Sequence, residues 1–305
     1  MKNIVVSGAD GFLGRHLISF LVNNDCFVFA LVIQGSRNKK LLDKYQNVKV
    51  IECALNEVEN ISRAIQSDID VFYHLAWNGV SPDTRESFDI QKVNSDLCLY
   101  AVRLARAVKA KRFIFPGSTM EYSFSNSIIN EDSVPTPQNV YGVEKISCRY
   151  LCEVLCRKFG IQFNYVVLSS IYSEDRIDNN VIYYTISSLL KKKKPRLTNL
   201  TQLWDYVYID DVVRGLYLVA IAGKAGAFYC IGHGDNCPLS DYIYKIRDLI
   251  DPSLPLGIGE LEYTNSVVPM SCIDLSLLTR DTGFVPNISF EEGIRRVIDC
   301  LREKS

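Results

Sequence analysis

Three glycines, each separated from the next by two residues, constrain the fold of this chain more than any other feature. They lie within residues 2–14, KNIVVSGADGFLG, between a short apolar strand at residues 4–6 and an apolar run with helical character. A strand that turns on glycines into a helix gathers unpaired backbone N–H groups and the positive end of the helix dipole in one place. The turn at Gly8, Gly11 and Gly14 therefore predicts a site for the pyrophosphate of a dinucleotide, with an ordinary strand-to-helix turn as the alternative.

The composition is that of a globular protein with a full hydrophobic core. The chain has 305 residues, 48% of them hydrophobic and 23% charged, and a formal net charge of −1. This balance offers no broad basic face for nucleic acid or anionic lipid. No apolar run approaches the roughly 20 residues that span a bilayer, and no secretion leader is recognisable in the first residues. We therefore expect a cytoplasmic protein with neither a nucleic-acid nor a membrane partner.

The ten cysteines are scattered through strand-like and helix-like segments. Cys148, Cys152 and Cys156 recur every four residues and so line one face of a predicted helix. Reduced thiols in a hydrophobic core explain this spacing better than disulfides in so large a chain. The sequence has no Cys-x-x-Cys pair, and its three histidines stand far apart, so we predict no metal site.

Strand-like and helix-like segments alternate along the first half of the chain. Beyond the first strand, the strand-like segments are residues 27–33, 48–53, 71–76, 112–116 and 163–168. This alternation predicts an α/β fold, a Rossmann-type doubly wound parallel sheet. Because the alternation loses its regularity after residue 175, we predict a dinucleotide-binding domain over residues 1–168, with return segments at about 205–233. Residues 169–305 are predicted to form a smaller C-terminal α/β lobe that binds the substrate.

The end of the second strand bears on the choice between NAD(H) and NADP(H). In NAD-preferring folds an acidic residue near this point accepts hydrogen bonds from the adenosine ribose. Here the strand ends in Gln34, Gly35, Ser36 and Arg37, without a carboxylate. A cation and small donors suit a 2′-phosphate, and Arg15, just past the third glycine, would add to the positive field. The sequence therefore favours NADP(H) over NAD(H), with Arg37 as a merely solvated loop charge as the alternative.

A second group of candidate residues lies where ligands bind in open α/β sheets, beyond the carboxyl ends of the strands. Ser118 follows the strand-like residues 112–116, and Tyr141 and Lys145 lie four apart at the start of an apolar helix. Residues four apart share a helical face, so the phenol and the ammonium can point into one cleft. A nearby cation would lower the pKa of Tyr141 and suit it to acid–base catalysis. Such a pair alone is usually structural, and its combination with Ser118 and the glycine turn is what indicates catalysis.

Several motifs spread over most of the chain belong together. They are Gly8-x-x-Gly11-x-x-Gly14, His74-Leu75-Ala76, Ser118 before Tyr122, Tyr141-x-x-x-Lys145, and the segments at residues 204–211 and 274–293. This set resembles the extended short-chain dehydrogenase/reductases, which include nucleotide-sugar epimerases, dehydratases and 4-keto reductases. The resemblance implies a nicotinamide cofactor and a nucleotide-sugar substrate.

The resemblance also implies roles for individual residues. Tyr141 would be the general acid/base, Lys145 would bind the nicotinamide ribose and tune Tyr141, and Ser118 would hold the sugar oxygen. The implied cofactor-binding residues are Gly8, Asp10, Gly11, Phe12, Leu13, Gly14, Arg15, Ser36, Arg37, Leu75, Ala76, Asn94, Tyr141 and Lys145. The implied substrate-binding residues are Ser118, Thr119, Met120, Ser170, Asn180, Val181 and Trp204. Members of this family commonly form homodimers through two helices, which here would be residues 86–110 and 141–159.

Departures from the family pattern narrow the reaction. Dehydratases follow the catalytic hydroxyl residue with Asp-Glu, whereas Thr119 and Met120 stand here, and Met120 also replaces the cysteine of GDP-fucose-synthase-type epimerases. The first hypothesis is therefore NADPH-dependent reduction of the 4-keto group of a nucleotide-linked 4-keto-6-deoxy sugar. NAD-dependent C4 epimerisation of a nucleotide sugar is the second hypothesis. A non-catalytic NADP-binding sensor is the third.

Positive charges that grip the substrate diphosphate in many relatives are missing from their usual positions. Trp204 stands where the family often has an arginine, and no arginine occurs within residues 263–268. Arg176, Lys192 and Arg196 are the candidate replacements. If none of these residues binds a diphosphate, the resemblance no longer implies a nucleotide sugar.

Overall fold

The computed structural model describes residues 1–122, 128–176, 180–263 and 271–303. Its strands are β1 (Asn3–Ser7), β2 (Phe27–Val32), β3 (Val48–Glu52), β4 (Val71–His74), β5 (Arg112–Ser118), β6 (Gln162–Leu168), β7 (Ser170–Tyr172), β8 (Leu203–Trp204), β9 (Tyr206–Tyr208), β10 (Phe228–Ile231) and β11 (Cys237–Pro238). Its α-helices are α1 (Phe12–Asn23), α2 (Val58–Ala64), α3 (Pro82–Arg85), α4 (Phe88–Ala107), α5 (Val140–Phe159), α6 (Val181–Leu190), α7 (Ile209–Ala222), α8 (Leu239–Ile250), α9 (Ser276–Thr282) and α10 (Phe290–Glu303). Short 3-10 helices follow β2 and β5, at Arg37–Leu41 and Thr119–Tyr122.

Seven strands form one parallel sheet in the order β3-β2-β1-β4-β5-β6-β10. The strand order reverses at β1, whose last residue, Ser7, lies opposite both Leu31 and His74. In doubly wound sheets a ligand binds in the crevice beyond the carboxyl ends of the strands at such a reversal. The predicted Rossmann-type sheet is confirmed, and β10 is the predicted return strand.

Helices cover both faces of the sheet, as a buried parallel sheet requires. Helices α1 and α7 pack together on one face, while α2, α4 and α5 cover the other. Each face has its own cluster of buried hydrophobic side chains, and the first cluster continues into α6, α8 and α10. The elements after β6 thus share a core with the sheet, and their separation as a substrate lobe stays a prediction.

The elements that follow β6 begin with two small two-stranded sheets. Strand β7 pairs in parallel with β9, and β8 pairs antiparallel with β11. Helix α8 packs against α6 and α10. These pairings hold the chain beyond the carboxyl end of β6, on the side of the sheet where a ligand is expected.

The helical segment predicted at residues 86–110 is shorter in the structure. The side chain of Ser87 accepts a hydrogen bond from the Ile90 backbone N–H at 3.4 Å, which caps α4 at its start. Helix α4 ends at Ala107, and Lys109 adopts a left-handed conformation with φ of +53° that no helix continues through. Helix α5 matches its predicted bounds within one residue.

The cysteine triplet faces the core, as predicted. Cys148, Cys152 and Cys156 are all fully buried on α5. Among the residues described, no helix is both long and apolar enough to cross a bilayer. The same residues include no cluster of three or more histidine, cysteine, aspartate or glutamate side chains that could hold a metal ion.

Candidate active site

The glycine turn packs so closely that side chains are excluded from two of its three glycine positions. A Cβ atom at Gly8 would lie 2.6 Å from the backbone nitrogen of Ala76, and one at Gly14 would lie 2.3 Å from the Gly8 carbonyl oxygen. Gly11 is less crowded and is the N-cap of α1, where no side chain of the described residues bonds the first helical N–H groups. An open helix N-terminus behind this small residue fits the pyrophosphate of a dinucleotide.

Ser118 and Tyr141 meet at the carboxyl end of β5. Ser118 is the last residue of β5; its hydroxyl accepts a hydrogen bond from the Met120 backbone N–H at 3.2 Å and lies close enough to Tyr141 to lower the pKa of that phenol. The Asn139 side chain caps α5 by accepting a hydrogen bond from the Gly142 N–H at 2.7 Å, which fixes the first helical turn. A Cβ atom at Gly142 would lie 2.6 Å from the Met120 carbonyl oxygen, so the close approach depends on glycine. The two hydroxyl groups predicted to be catalytic are therefore adjacent.

Lys145 is buried beside this pair among aromatic rings. Its ammonium donates a hydrogen bond to the Pro116 carbonyl oxygen at 3.1 Å and lies 3.7 Å from the ring centroid of Trp77. The centroid of the Tyr141 ring is farther away, at 5.9 Å. Burial lowers the pKa of Lys145 to about 8, partly offset by neighbouring groups that include Glu121. The ammonium of Lys145 thus provides a buried positive charge beside Ser118 and Tyr141.

The pKa of Tyr141 differs from the expectation based on sequence. It is raised to about 12, first by burial and then by the negative charge of Glu121, while the nearby Ser118 side chain lowers it. Arg85 and Arg176 lower it further, but not enough to offset burial. The predicted net lowering of this pKa by a nearby lysine is therefore wrong. Tyr141 holds its proton at neutral pH, as a general acid must.

Glu121 is a buried carboxyl group that sequence analysis did not single out. Its Oε1 accepts hydrogen bonds from the Ser118 backbone N–H at 2.6 Å and from the Tyr165 hydroxyl at 2.7 Å. Its Oε2 is buried and has no hydrogen-bond partner in the part of the chain that the structure describes. Burial raises the pKa of Glu121 to about 7, against the effect of these two hydrogen bonds. Glu121 therefore fixes the backbone of Ser118 through the hydrogen bond that it accepts from the Ser118 N–H.

Two carboxylates lie beside the end of β2, where the sequence predicts none. Ser36 donates a side-chain hydrogen bond to Asp10 of the glycine turn. The Glu52 carboxylate, at the end of β3, accepts a hydrogen bond from the Gly35 backbone N–H at 3.1 Å. Arg37, the predicted partner of a 2′-phosphate, is exposed. The adenosine end of the site is therefore more acidic than its local sequence indicates.

Arg15, predicted to contribute to this adenosine end, is paired within the protein. The Arg15 guanidinium lies 3.6 Å from Asp175, whose carboxylate also bonds His16 at 3.0 Å and Ser173 at 2.6 Å. These contacts tie α1 to the segment after β7. The charge of Arg15 is paired with Asp175, and its contribution to the adenosine end stays a prediction.

Asn94, predicted to bind the cofactor, serves the protein backbone instead. It is fully buried, accepts a hydrogen bond from the Asn78 N–H at 2.8 Å and donates one to the Asn78 carbonyl oxygen at 3.1 Å. Its amide also donates to the Gln91 side chain at 3.2 Å. Asn94 thus holds the loop after β4.

Four of the predicted substrate-binding residues lie at the start of the segment beyond β6. The Trp204 indole N–H donates a hydrogen bond to the Ser170 hydroxyl at 2.9 Å, which joins two of them directly. Asn180 and Val181 form the start of α6, where the Asn180 side chain accepts a hydrogen bond from the Tyr183 N–H at 3.2 Å. A capped helix N-terminus is a place where a diphosphate can bind.

Thr119 and Met120 are placed less favourably for a substrate. Thr119 is buried, and its hydroxyl accepts a hydrogen bond from the Ser271 hydroxyl at 3.0 Å. The Met120 sulfur accepts a hydrogen bond from the Asn139 amide at 3.7 Å, beside the cap of α5. The predicted contact of Thr119 with the substrate is therefore not supported, because its hydroxyl is already bonded within the core.

Of the three cations proposed to grip a diphosphate, the structure brings one to the cleft. The Arg176 guanidinium lies 5.0 Å from the ring centroid of Phe12 in the glycine turn, and its charge lowers the pKa of Tyr141. It therefore lies between the turn and the catalytic hydroxyls. Lys192 and Arg196 are exposed.

The strand order and the layout of this site are those of the extended short-chain dehydrogenase/reductases that the sequence motifs resemble. Residues 4–232 match the model of the NAD dependent epimerase/dehydratase family. Since this match covers well over half of the chain, the chain belongs to that family of enzymes.

Similar proteins that span the whole chain carry different activities. A dTDP-glucose 4,6-dehydratase of Haemophilus influenzae is 24% identical, over 98% of this chain and 97% of its own length. The structure of a UDP-N-acetylglucosamine 4-epimerase from Methanobrevibacter ruminantium superposes with a TM-score of 0.86 at 21% identity, covering 100% of this chain and 99% of that one. A UDP-glucuronic acid 4-epimerase from Bacillus cereus, solved with UDP-glucuronic acid and NAD, gives a TM-score of 0.84 at 22% identity, covering 99% and 100%. These likenesses establish the fold.

Proposed function

We propose that the chain transfers hydride at C4 of a nucleotide-linked sugar, in the direction that reduces the 4-keto group of a 4-keto-6-deoxy sugar. The observation that carries this proposal is the proximity of the Ser118 and Tyr141 side chains at the carboxyl end of β5. A phenol with its pKa raised to about 12 keeps its proton until an alkoxide develops on the substrate. This proton is available to the alkoxide that forms when a ketone is reduced.

A bound nicotinamide cofactor would supply the hydride, and the side chains of the site would manage the oxygen. As hydride reaches C4, Tyr141 gives its proton to the C4 oxygen, while the Ser118 hydroxyl shares that oxygen and orients it. Lys145, which lies behind the pair with its pKa lowered to about 8, adds positive charge where the phenolate forms. Arg176, whose guanidinium lies 5.0 Å from the Phe12 ring, is the candidate that we propose for binding the diphosphate of the substrate.

Dehydration of the kind named for the Haemophilus influenzae relative lacks a suitable acid or base in this site. Met120 carries a thioether, and the hydroxyl of Thr119 is buried and bonded. The nearby carboxyl group of Glu121 is turned behind Ser118 toward Tyr165. None of the three can remove and return a proton at the sugar C5 and C6 positions.

NAD-dependent C4 epimerisation is the second candidate function. The similar structures named as 4-epimerases favour it, one of them solved with NAD. The carboxylates of Asp10 and Glu52 beside the end of β2 also favour it, because they suit NAD(H) better than the NADPH predicted from Ser36 and Arg37. Ser118 and Tyr141 would serve this reaction with the same geometry.

One experiment separates the candidates. Purified protein is incubated with NADPH or NADH and a panel of CDP-, dTDP-, GDP- and UDP-linked 4-keto-6-deoxyhexoses, and in parallel with UDP-hexoses and NAD⁺. We expect loss of absorbance at the reduced-nicotinamide band with one 4-keto sugar, in step with formation of its 4-hydroxy product. Conversion of a hexose to its C4 epimer without net cofactor change would replace reduction with epimerisation. Cofactor binding without any turnover would favour a non-catalytic sensor.

We also propose a homodimer formed by α4 and α5, which pack side by side on one face of the sheet. Exposed apolar side chains on these helices include Tyr150 and Val154, each 51% exposed and four apart on α5. Light scattering after size exclusion should give twice the chain mass, and Val154→Arg should give the monomer, because a buried unpaired charge is costly. Ile221→Arg, at a 49% exposed position on α7, should leave the dimer intact. A monomeric wild type would contradict the proposal.

A further inference from the structure

We propose that Asp10 accepts the hydroxyls of the adenosine ribose, in place of the acid missing from the end of β2, and so selects NAD(H) over NADP(H). The inference rests on the dinucleotide part of the proposed function and is independent of which sugar is reduced. It replaces a preference for NADP(H) that the sequence of residues 34–37 favours.

The geometry places Asp10 at the end of β2. Asp10 lies between Gly8 and Gly11 in the turn, and its Oδ2 accepts a hydrogen bond from the Ser36 hydroxyl. The turn is tied to the same strand by the Ala9 N–H, which donates to the Leu31 carbonyl oxygen at 3.2 Å. In Rossmann folds the adenosine ribose lies between the glycine turn and this strand end. The carboxylate of Asp10 therefore lies where the carboxylate of an acidic residue at the end of β2 would lie.

The charges around this point favour a ribose with free hydroxyls. Glu52 contributes a second carboxylate, whose pKa is lowered by Lys39 and the Gly35 N–H and which is therefore ionised at neutral pH. Lys39, the cation nearest to it, is paired with Glu52. Because the pair with Lys39 neutralises Glu52, a 2′-phosphate would enter beside the carboxylate of Asp10, whereas a ribose hydroxyl would donate to it. Repulsion and hydrogen bonding thus act in the same direction.

A purely structural role for Asp10 makes a different prediction. If Asp10 served only to hold the loop at Ser36, its loss would weaken both dinucleotides to the same extent. If it binds the ribose, its loss weakens NAD⁺ and relieves the repulsion of NADP⁺, so the ratio of the two dissociation constants changes.

Isothermal titration with NAD⁺ and NADP⁺, without any sugar, tests the inference. Wild type should bind NAD⁺ at least about tenfold more tightly than NADP⁺, and Asp10→Asn should lower that ratio about tenfold or more. The exposed control Asp25→Asn should keep the wild-type ratio. Tighter binding of NADP⁺ by the wild type, or an equal loss of both dinucleotides in Asp10→Asn, would overturn the inference. Failure of every sugar in the activity assay would leave these binding ratios unaffected, so the two proposals fail separately.

Discussion

Replacement of Tyr141 by phenylalanine is expected to lower kcat for reduction by about 10²–10⁴-fold while cofactor affinity stays near that of the wild type. The phenol holds a proton at neutral pH and lies beside the Ser118 side chain. Phenylalanine keeps the ring that faces Trp77, so the local packing is retained. The substitution should therefore impair proton transfer without disturbing the fold.

The measurement is stopped-flow or steady-state absorbance of the reduced cofactor with the active 4-keto sugar, together with titration of the cofactor alone. Tyr150→Phe on the same helix is the matched control, because its phenol is exposed on the outer face of α5. That control should turn over like the wild type. Turnover of Tyr141→Phe within about threefold of wild type would remove Tyr141 from the mechanism.

The fold could be predicted from the sequence because each strand and helix has its own recognisable pattern of apolar and polar residues. Apolar runs between glycines and polar turns located the strands of the parallel sheet, and the close packing at Gly8 and Gly14 explains why the turn has that spacing. The positions of Ser118 and Tyr141 followed from the same logic, since the carboxyl ends of parallel strands meet at one edge. The structure brings these two together through the cap at Asn139.

Interactions between residues far apart in sequence were not predictable in this way. Asp10 and Ser36 are 26 positions apart, and only the folded sheet brings that carboxylate to the strand end. The family resemblance predicted that Asn94 binds the cofactor. Its side-chain amide is instead hydrogen-bonded to the backbone of Asn78, 16 positions away. The pKa of Tyr141 depends on burial, which spacing along a helix does not report. These features could not be predicted because burial and pairing between distant residues are determined by the tertiary structure.

Glu121 is the clearest example, and it leads to the second large effect that we expect. Its pKa is raised from an ordinary value of 4.5 to about 7, first by burial, so the folded protein binds this proton more tightly than the unfolded chain does. The free energy of unfolding should therefore fall as the pH rises from about 4.5 to 7 and should stay low above that range. The difference of about 2.5 pKa units corresponds to roughly 3 kcal/mol.

Glu121→Gln should abolish this pH dependence, since glutamine keeps an oxygen for the Ser118 N–H and the Tyr165 hydroxyl but does not titrate. Between pH 5 and pH 8, urea unfolding should show the free energy of unfolding of the variant rising by about 2.5 kcal/mol relative to that of the wild type. Glu262→Gln, at an exposed position, should follow the wild type. Equal slopes for wild type and Glu121→Gln would mean that Glu121 is ionised throughout this range. The buried charge would then have to be stabilised at its Oε2 by a group other than the hydrogen-bond partners described for Oε1.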